Sequence, residues 1–203
     1  LEIAPWLPVA EEHLGNYVIF ELSRTARRSP NTGREHRFIR LDAPDWVNVL
    51  AVSEAGQLVL VEQYRHGTDD ITLEIPGGAV DPGEEPRAAA ARELEEETGF
   101  RPAEMHQIGV VETNPAFMSN RCWTYLALSC KPSGTVRPDP SEEIALRLVE
   151  LGDFSALIDS GAIRHSLVIA AHDHLRRGLE NDRSWVSAVS GFLDSPPSAP
   201  GVR

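Results

Sequence analysis

The chain has 203 residues and 22.3 kDa, with 31 acidic against 19 basic side chains and a formal charge of −12. That length fits one domain with an appendage, and 41% apolar residues can fill a core. The acidity argues against a nucleic-acid partner, because such binding rests on Lys and Arg neutralising phosphates; an anionic substrate would need a metal ion or a local basic pocket.

No apolar run approaches the ~20 residues of a membrane span, so no membrane partner is expected. Residues 1–15 show no clear pattern, and Leu1-Glu2-Ile3-Ala4-Pro5-Trp6 lacks the basic stretch that opens a secretory leader. Tyr17–Arg28 and Arg34–Leu41 read as strands joined by the turn-rich Ser29-Pro30-Asn31-Thr32-Gly33. Val47–Val52 and Leu58–Tyr64 form a second pair around Glu54-Ala55-Gly56, and Ile71–Ile75 is a short strand stopped by Pro76-Gly77-Gly78. The texture then changes: Pro86–Thr98 is rich in Ala, Glu, Leu and Arg, with Pro at its first position and Gly99 just past its end, as helix ends require. Strands follow around Ile108–Thr113, Arg121–Cys130 and Ile144–Leu151. Asp153 can cap a short helix, Phe154–Ser160, closed by Gly161, and Ser166–Arg177 is amphipathic. The tail after about Glu180, rich in Pro, Ser and Gly at its end, is expected to fray. On one strand, Cys122 and Cys130 would stand roughly 26 Å apart, beyond disulfide reach, so both read as thiols in a reducing, cytoplasmic compartment. Mixed strands and helices in irregular order indicate an α/β (α+β) fold.

The chemistry concentrates in residues 78–100. Asp81, Glu84, Glu85, Glu93, Glu95, Glu96 and Glu97 stand there against Arg87 and Arg92, a net −5 of the chain's −12. On a helix, Glu93, Glu96 and Glu97 lie at i, i+3 and i+4 on one face. Arg92 is placed to brace them, and Glu84 precedes the helix in a Gly-containing loop. Like charges so close repel unless paired, and oxygen-only donors suit a hard divalent cation, Mg²⁺ or Mn²⁺. A solvated acidic face is the plain alternative for a glutamate run.

The segment is identified as a Nudix box, G-x5-E-x7-R-E-U-x-E-E-x-G-U with U apolar. It matches at Gly78, Glu84, Arg92, Glu93, Leu94, Glu96, Glu97, Gly99 and Phe100. The resemblance implies the Nudix fold, a mixed β-sheet sandwiched between helices, and hydrolysis of a diphosphate linking a nucleoside to another group. It also implies that Glu93 and Glu97 are the principal metal ligands, with Glu96 next, Glu84 behind them or an additional ligand, the Ala79 carbonyl completing a site, and Arg92 orienting the carboxylates. Divalent cations offset the charge that protects a diphosphate from nucleophiles and lower the pKa of a bound water.

About 45 residues precede Trp46-Val47-Asn48-Val49, and Gln63-Tyr64-Arg65 and Leu73-Glu74-Ile75-Pro76-Gly77-Gly78 follow. This layout resembles the ADP-ribose pyrophosphatase branch, whose N-terminal antiparallel strands serve dimerisation and the substrate pocket. Pro115, sixteen residues beyond Gly99, is a second mark, although Asn114-Pro115-Ala116-Phe117 stands where many such enzymes carry Pro-Gly-Phe. The implied organisation is a β extension over 1–45, a Nudix domain over 46–180 and a tail over 181–203. The implied function is Mg²⁺-dependent hydrolysis of a nucleoside diphosphate sugar by a homodimer, ADP-ribose to AMP and ribose 5-phosphate first. Another substrate of the GDP-mannose or ADP-glucose type is the alternative. A non-catalytic sensor module is disfavoured because every box carboxylate is present. By the same resemblance the base lies outside the box in an acidic loop, here Asp139-Pro140-Ser141-Glu142-Glu143, with Glu142 or Glu143 in the role. Arg65, and less strongly Arg40, are candidates for the diphosphate or sugar, each with a surface ion pair as its other reading. Trp46, Phe38 and Trp123 can stack on a base or fill the core. Glu74 could bind substrate or metal, while His165, His172 and His174 with Asp173 read as a solvated helix face.

Overall fold

A computed structural model describes residues 2–134, 136–137, 143–181 and 183–193. The chain divides into two units, residues 1–45 with 112–121 and residues 46–111 with 122–203.

In the first unit β1 (Leu7–Asn16), β2 (Glu21–Arg28) and β3 (Glu35–Asp42) form an antiparallel sheet in that order. The β2–β3 connection is the hairpin turn expected at Ser29–Gly33: the Gly33 N–H donates to the Ser29 carbonyl at 2.9 Å, and Gly33 holds φ +70°. β2 begins at Glu21 rather than Tyr17. Tyr17–Phe20 is instead a tight turn, in which the Tyr17 N–H donates to the Phe20 carbonyl at 2.9 Å and Val18 takes φ +68°. β1 occupies the stretch that showed no pattern. Its first seven residues are exposed, and irregularities between Pro8 and Ala10 and between His13 and Gly15 break the register. A strand with no buried face and interrupted alternation carries no period-two signal. Residues 112–121 complete this unit: the Asn114 carbonyl accepts from the N–H groups of Phe117 and Met118, and Asp45 accepts from the Arg121 backbone at 2.8 Å and its guanidinium at 3.0 Å.

The second unit holds β4 (Trp46–Ser53), β5 (Gln57–Arg65), β6 (Asp70–Glu74), β7 (Gly77–Ala79), α1 (Pro86–Thr98), β8 (Phe100–Arg101), β9 (Glu104–Glu112), β10 (Arg121–Pro132), β11 (Ile144–Glu150), α2 (Phe154–Asp159), α3 (Ser166–Glu180) and α4 (Val186–Leu193). Its eight-stranded sheet runs β11-β5-β4-β10-β8, with β6 beside β5, β7 beside β4 and β9 beside β10. β4 and β10 are parallel, whereas β5 is antiparallel to β4, β6 and β11. The apolar runs are long because these strands are buried on both faces. Val47, Val49, Ala51, Tyr125 and Ala127 pack with Ala89, Ala90 and Leu94 of α1. The alternate Leu50, Val52, Leu126 and Leu128 pack with Phe154, Val168, Ala171 and Leu175 of α2 and α3. The sheet therefore lies between α1 on one side and α2, α3 and α4 on the other.

Two local expectations change. Asp153 makes no side-chain cap; it sits in a 3-10 turn, Leu151–Asp153, that leads straight into α2. Residues 186–193, placed in a fraying tail, form α4, because Val189 and the preceding Trp185 bury against the α3 side of the core. Cys122 and Cys130 are both buried thiols on β10.

Candidate active site

β7 and α1 build the box. Pro86 opens α1 without needing the backbone donor it lacks. Gly99 closes it in the left-handed region at φ +71°, its N–H donating to the Glu95 carbonyl at 2.8 Å. α1 rests on the sheet through Ala89, Ala90 and Leu94, all at 0% exposure. The small alanines bring the helix close enough for its last two turns to meet β7. Gly78 has no room for a side chain: a Cβ would stand 2.5 Å from the Glu93 carboxylate. At Gly77 it would stand 2.1 Å from the Val47 carbonyl oxygen.

Arg92 organises the carboxylates. Its Nε and Nη2 donate to the two oxygens of Glu84 at 3.1 and 2.9 Å, a bidentate pair. Nη1 donates to Glu93 at 2.8 Å and Glu96 at 3.1 Å, and Nη2 also reaches the Ala79 carbonyl at 3.1 Å. One guanidinium thus touches four of the five groups expected to surround a metal. The bond to Glu84 is the largest of the effects that raise the Arg92 pKa, and the same bond holds the Glu84 carboxyl below its ordinary value. Glu97, the fifth, is buried and accepts from the Gly77 N–H at 3.0 Å. Among the described residues no three His, Cys, Asp or Glu side chains converge as a cage; the box carboxylates are spread over Arg92, whose charge offsets their mutual repulsion. The donor set, four carboxylates and a carbonyl, fits a hard divalent cation.

A depression of about 350 Å³ beside the cluster is lined by Arg92, Glu95, Glu96, Arg101 and Arg137. Arg101 pairs with Glu95 at 2.6 Å, and the Arg137 N–H donates to the Glu96 carbonyl at 2.8 Å. Sequence reasoning missed both arginines, since neither belongs to a motif. The Arg137 bond fastens to the end of α1 the chain that leads into the acidic segment 139–143. Glu142 lies outside the described residues; Glu143 is exposed just before β11.

The remaining candidates separate. Arg65 clamps Glu74 through two bonds of 2.8 Å; Thr72 donates to the same carboxylate at 2.6 Å, and His165 stands 3.8 Å away. Burial pushes the Glu74 carboxyl up, but Arg65, Thr72 and His165 together hold it below its ordinary value. Trp46 is half-buried and pairs in register with Ala79 on β7 and Cys122 on β10. Trp123 packs against the α1 side of the core. In the first unit Arg40, Phe38 and Pro115 line one hollow of about 280 Å³. There Arg40 pairs with Asp42 at 2.5 Å and Glu11 at 3.7 Å, and Phe38 stays 46% exposed with Trp6 edge-on to it. The histidines do not form a solvated face. His165 caps α3, its Nδ1 accepting from the Leu167 N–H. His172 sits edge-on to Phe154 and shares a 2.9 Å bond with Ser155. His174 is half-buried against Gly109. Burial lowers the pKa of both His172 and His174.

Comparison with known proteins bears on the family and the fold. The NUDIX domain profile matches residues 43–171. The ADP-ribose pyrophosphatase of Bacillus subtilis (strain 168) is 30% identical over 169 residues, covering 83% of this chain and 91% of the relative. The ADP-ribose pyrophosphatase of Mycobacterium tuberculosis (strain ATCC 25618 / H37Rv) is 30% identical over 166 residues, covering 80% and 79%. A crystal structure of an ADP compounds hydrolase superposes with a TM-score of 0.79 at 20% identity, over 90% of this chain and 98% of that one, and shows the shared fold. With the box residues gathered on Arg92 and the profile spanning the eight-stranded sheet, α1 and α2, the chain belongs to the Nudix family of hydrolases and within it resembles the ADP-ribose pyrophosphatases.

Proposed function

We propose that the chain hydrolyses the diphosphate of a nucleoside diphosphate sugar, ADP-ribose foremost, to a nucleoside monophosphate and a sugar phosphate. The observation that carries this reading is the Arg92 cluster: Glu84, Glu93, Glu96 and the Ala79 carbonyl share one guanidinium, with Glu97 buried beside Gly77. Glu93 and Glu97, then Glu96, with Glu84 and the Ala79 carbonyl, would hold Mg²⁺ or Mn²⁺. Bound there, a divalent ion would offset the diphosphate charge and acidify a water. Arg92 holds Glu84, Glu93, Glu96 and the Ala79 carbonyl in place through its hydrogen bonds. The relatives named as ADP-ribose pyrophosphatases support that substrate over the GDP-mannose and ADP-glucose types.

The water's proton would pass to Glu142 or Glu143, and the bond from Arg137 to the Glu96 carbonyl supports that segment as the source of the base. Arg65, its fork held by Glu74, and Trp46 are the proposed substrate contacts of the second unit, and Arg40 and Pro115 those of the first. The apolar side chains exposed on the N-terminal sheet support a homodimer, and the two buried thiols on β10 support a cytoplasmic setting.

The deciding experiment is a panel of ADP-ribose, ADP-glucose, GDP-mannose, NADH and a dinucleoside polyphosphate with Mg²⁺, with products identified. AMP and ribose 5-phosphate from ADP-ribose at the highest kcat/KM are expected; turnover of none would overturn the reading. Of Glu142→Gln and Glu143→Gln, one should lower kcat by roughly 10²–10⁴-fold, and two active variants would move the base elsewhere.

A further inference from the structure

On the side of the sheet away from α1, a cavity of about 620 Å³ opens between β9, the C-terminal half of α3 and residues 183–185. It lies within the size range of small-molecule sites and shares no lining residue with the box. Its wall is mainly hydrogen-bond donors: His106, Gln107, His174, Arg177, Asn181 and Arg183.

Three observations make it more than a crevice. The first is His174. Its Nε2 is buried and has no hydrogen-bond partner among the described residues, a state that destabilises the fold unless something else satisfies it. The second is the way that ring is seated. A Cβ on Gly109 would lie 2.1 Å from its Cδ2, so the bare glycine is what lets the imidazole lie against β9. Trp185 is seated in the same way over Gly178, where a Cβ would meet its ring at 2.2 Å. The third is the charge of the lining. Among the described residues that line the cavity there is no carboxylate, and nearby Asp173 is paired with Arg176 and Arg177, and Glu180 with Arg176. The pair to Asp173 uses only the Nε of Arg177, and the exposed Arg183 makes no side-chain ion pair among the described residues. Two guanidinium groups with donors to spare thus face one hollow of a chain whose formal charge is −12.

We infer that this cavity is a second ligand site, separate from the box, that binds a phosphate group carried by a small molecule. Arginine forks match a phosphate bidentately and the Asn181 amide adds donors; the His174 Nε2, buried against Gly109, would reach a phosphate oxygen only once its ring turned toward the cavity. Free phosphate, a nucleoside monophosphate and a sugar phosphate share this chemistry.

Isothermal titration calorimetry in the presence of a chelator separates this site from the box, which would need divalent ions to take a phosphate. Inorganic phosphate, AMP and ribose 5-phosphate are titrated separately into the whole chain. Binding of at least one is expected. It should weaken tenfold or more in Arg183→Glu and in His174→Gln, and remain unchanged in Glu93→Gln. Which of the three binds best identifies the carrier. Arg183 is exposed, so its variant keeps the fold even if the histidine variant does not. Absence of binding by all three, or equal binding by Arg183→Glu, overturns the inference.

Discussion

Arg92 shows how much chemistry one side chain can arrange. A planar fork with five donors satisfies Glu84 bidentately while still reaching Glu93, Glu96 and Ala79; an ammonium group in its place would bond fewer of them at once. Replacing a carboxylate that holds the metal removes charge where the diphosphate needs it offset. Glu93→Gln and Glu97→Gln are therefore each expected to lower kcat by about a hundredfold or more, while circular dichroism shows the fold intact. Full activity in either would refute the metal assignment. Glu74 provides a pH test. Its carboxyl sits below its ordinary value of 4.5 in the folded chain, so the stability it contributes is fully present above that value and is lost as pH falls through the lowered one. Glu74→Gln should be less stable at neutral pH by about 1–3 kcal/mol. Its melting temperature should converge on that of the parent chain as the solution is acidified below pH 4.5; a constant gap would assign the effect to packing alone.

Among elements, the contact of β7 with α1 separates fold from activity. The atoms nearest a Cβ at Gly78 are the flexible end of Glu93, whereas at Gly77 it meets the backbone of β4. Gly78→Ala is expected to keep its melting temperature within a few degrees and lose at least tenfold in kcat, because the Glu93 carboxylate must swing aside. Gly77→Ala should lose about 1–3 kcal/mol of stability, read from urea unfolding. Equal effects on stability would show that the two glycines serve the same purpose. The elements themselves were unevenly legible. α1 could be read at both ends because Pro86 and Gly99 are local signals. β1 could not, since none of its first seven residues is buried. α4 was hidden by the composition of the residues that follow it, although Trp185 and Val189 anchor it in the core.

At the scale of the whole molecule, the N-terminal sheet leaves Leu7, Val9, Phe38 and Ile39 between 42% and 55% exposed. Monomers seldom display large apolar patches without a use for them. Light scattering at micromolar concentration is expected to give about twice 22.3 kDa, and a mass of one chain would contradict the dimer. What the amino-acid order determined alone was whatever depends on short separations: the box and its helix, the carboxylates one turn apart, the hairpin turns and the apolar strand runs. Tertiary structure decided everything that depends on residues distant in sequence meeting. Arg92 reaches back eight positions to Glu84, Glu97 twenty to Gly77, and His174 sixty-five to Gly109. The same reach made Arg65 the clamp of Glu74, placed Arg137 against α1 and turned the histidines of α3 inward. Periodicity shows which face of an element is apolar; only packing selects the side chain that stands opposite it.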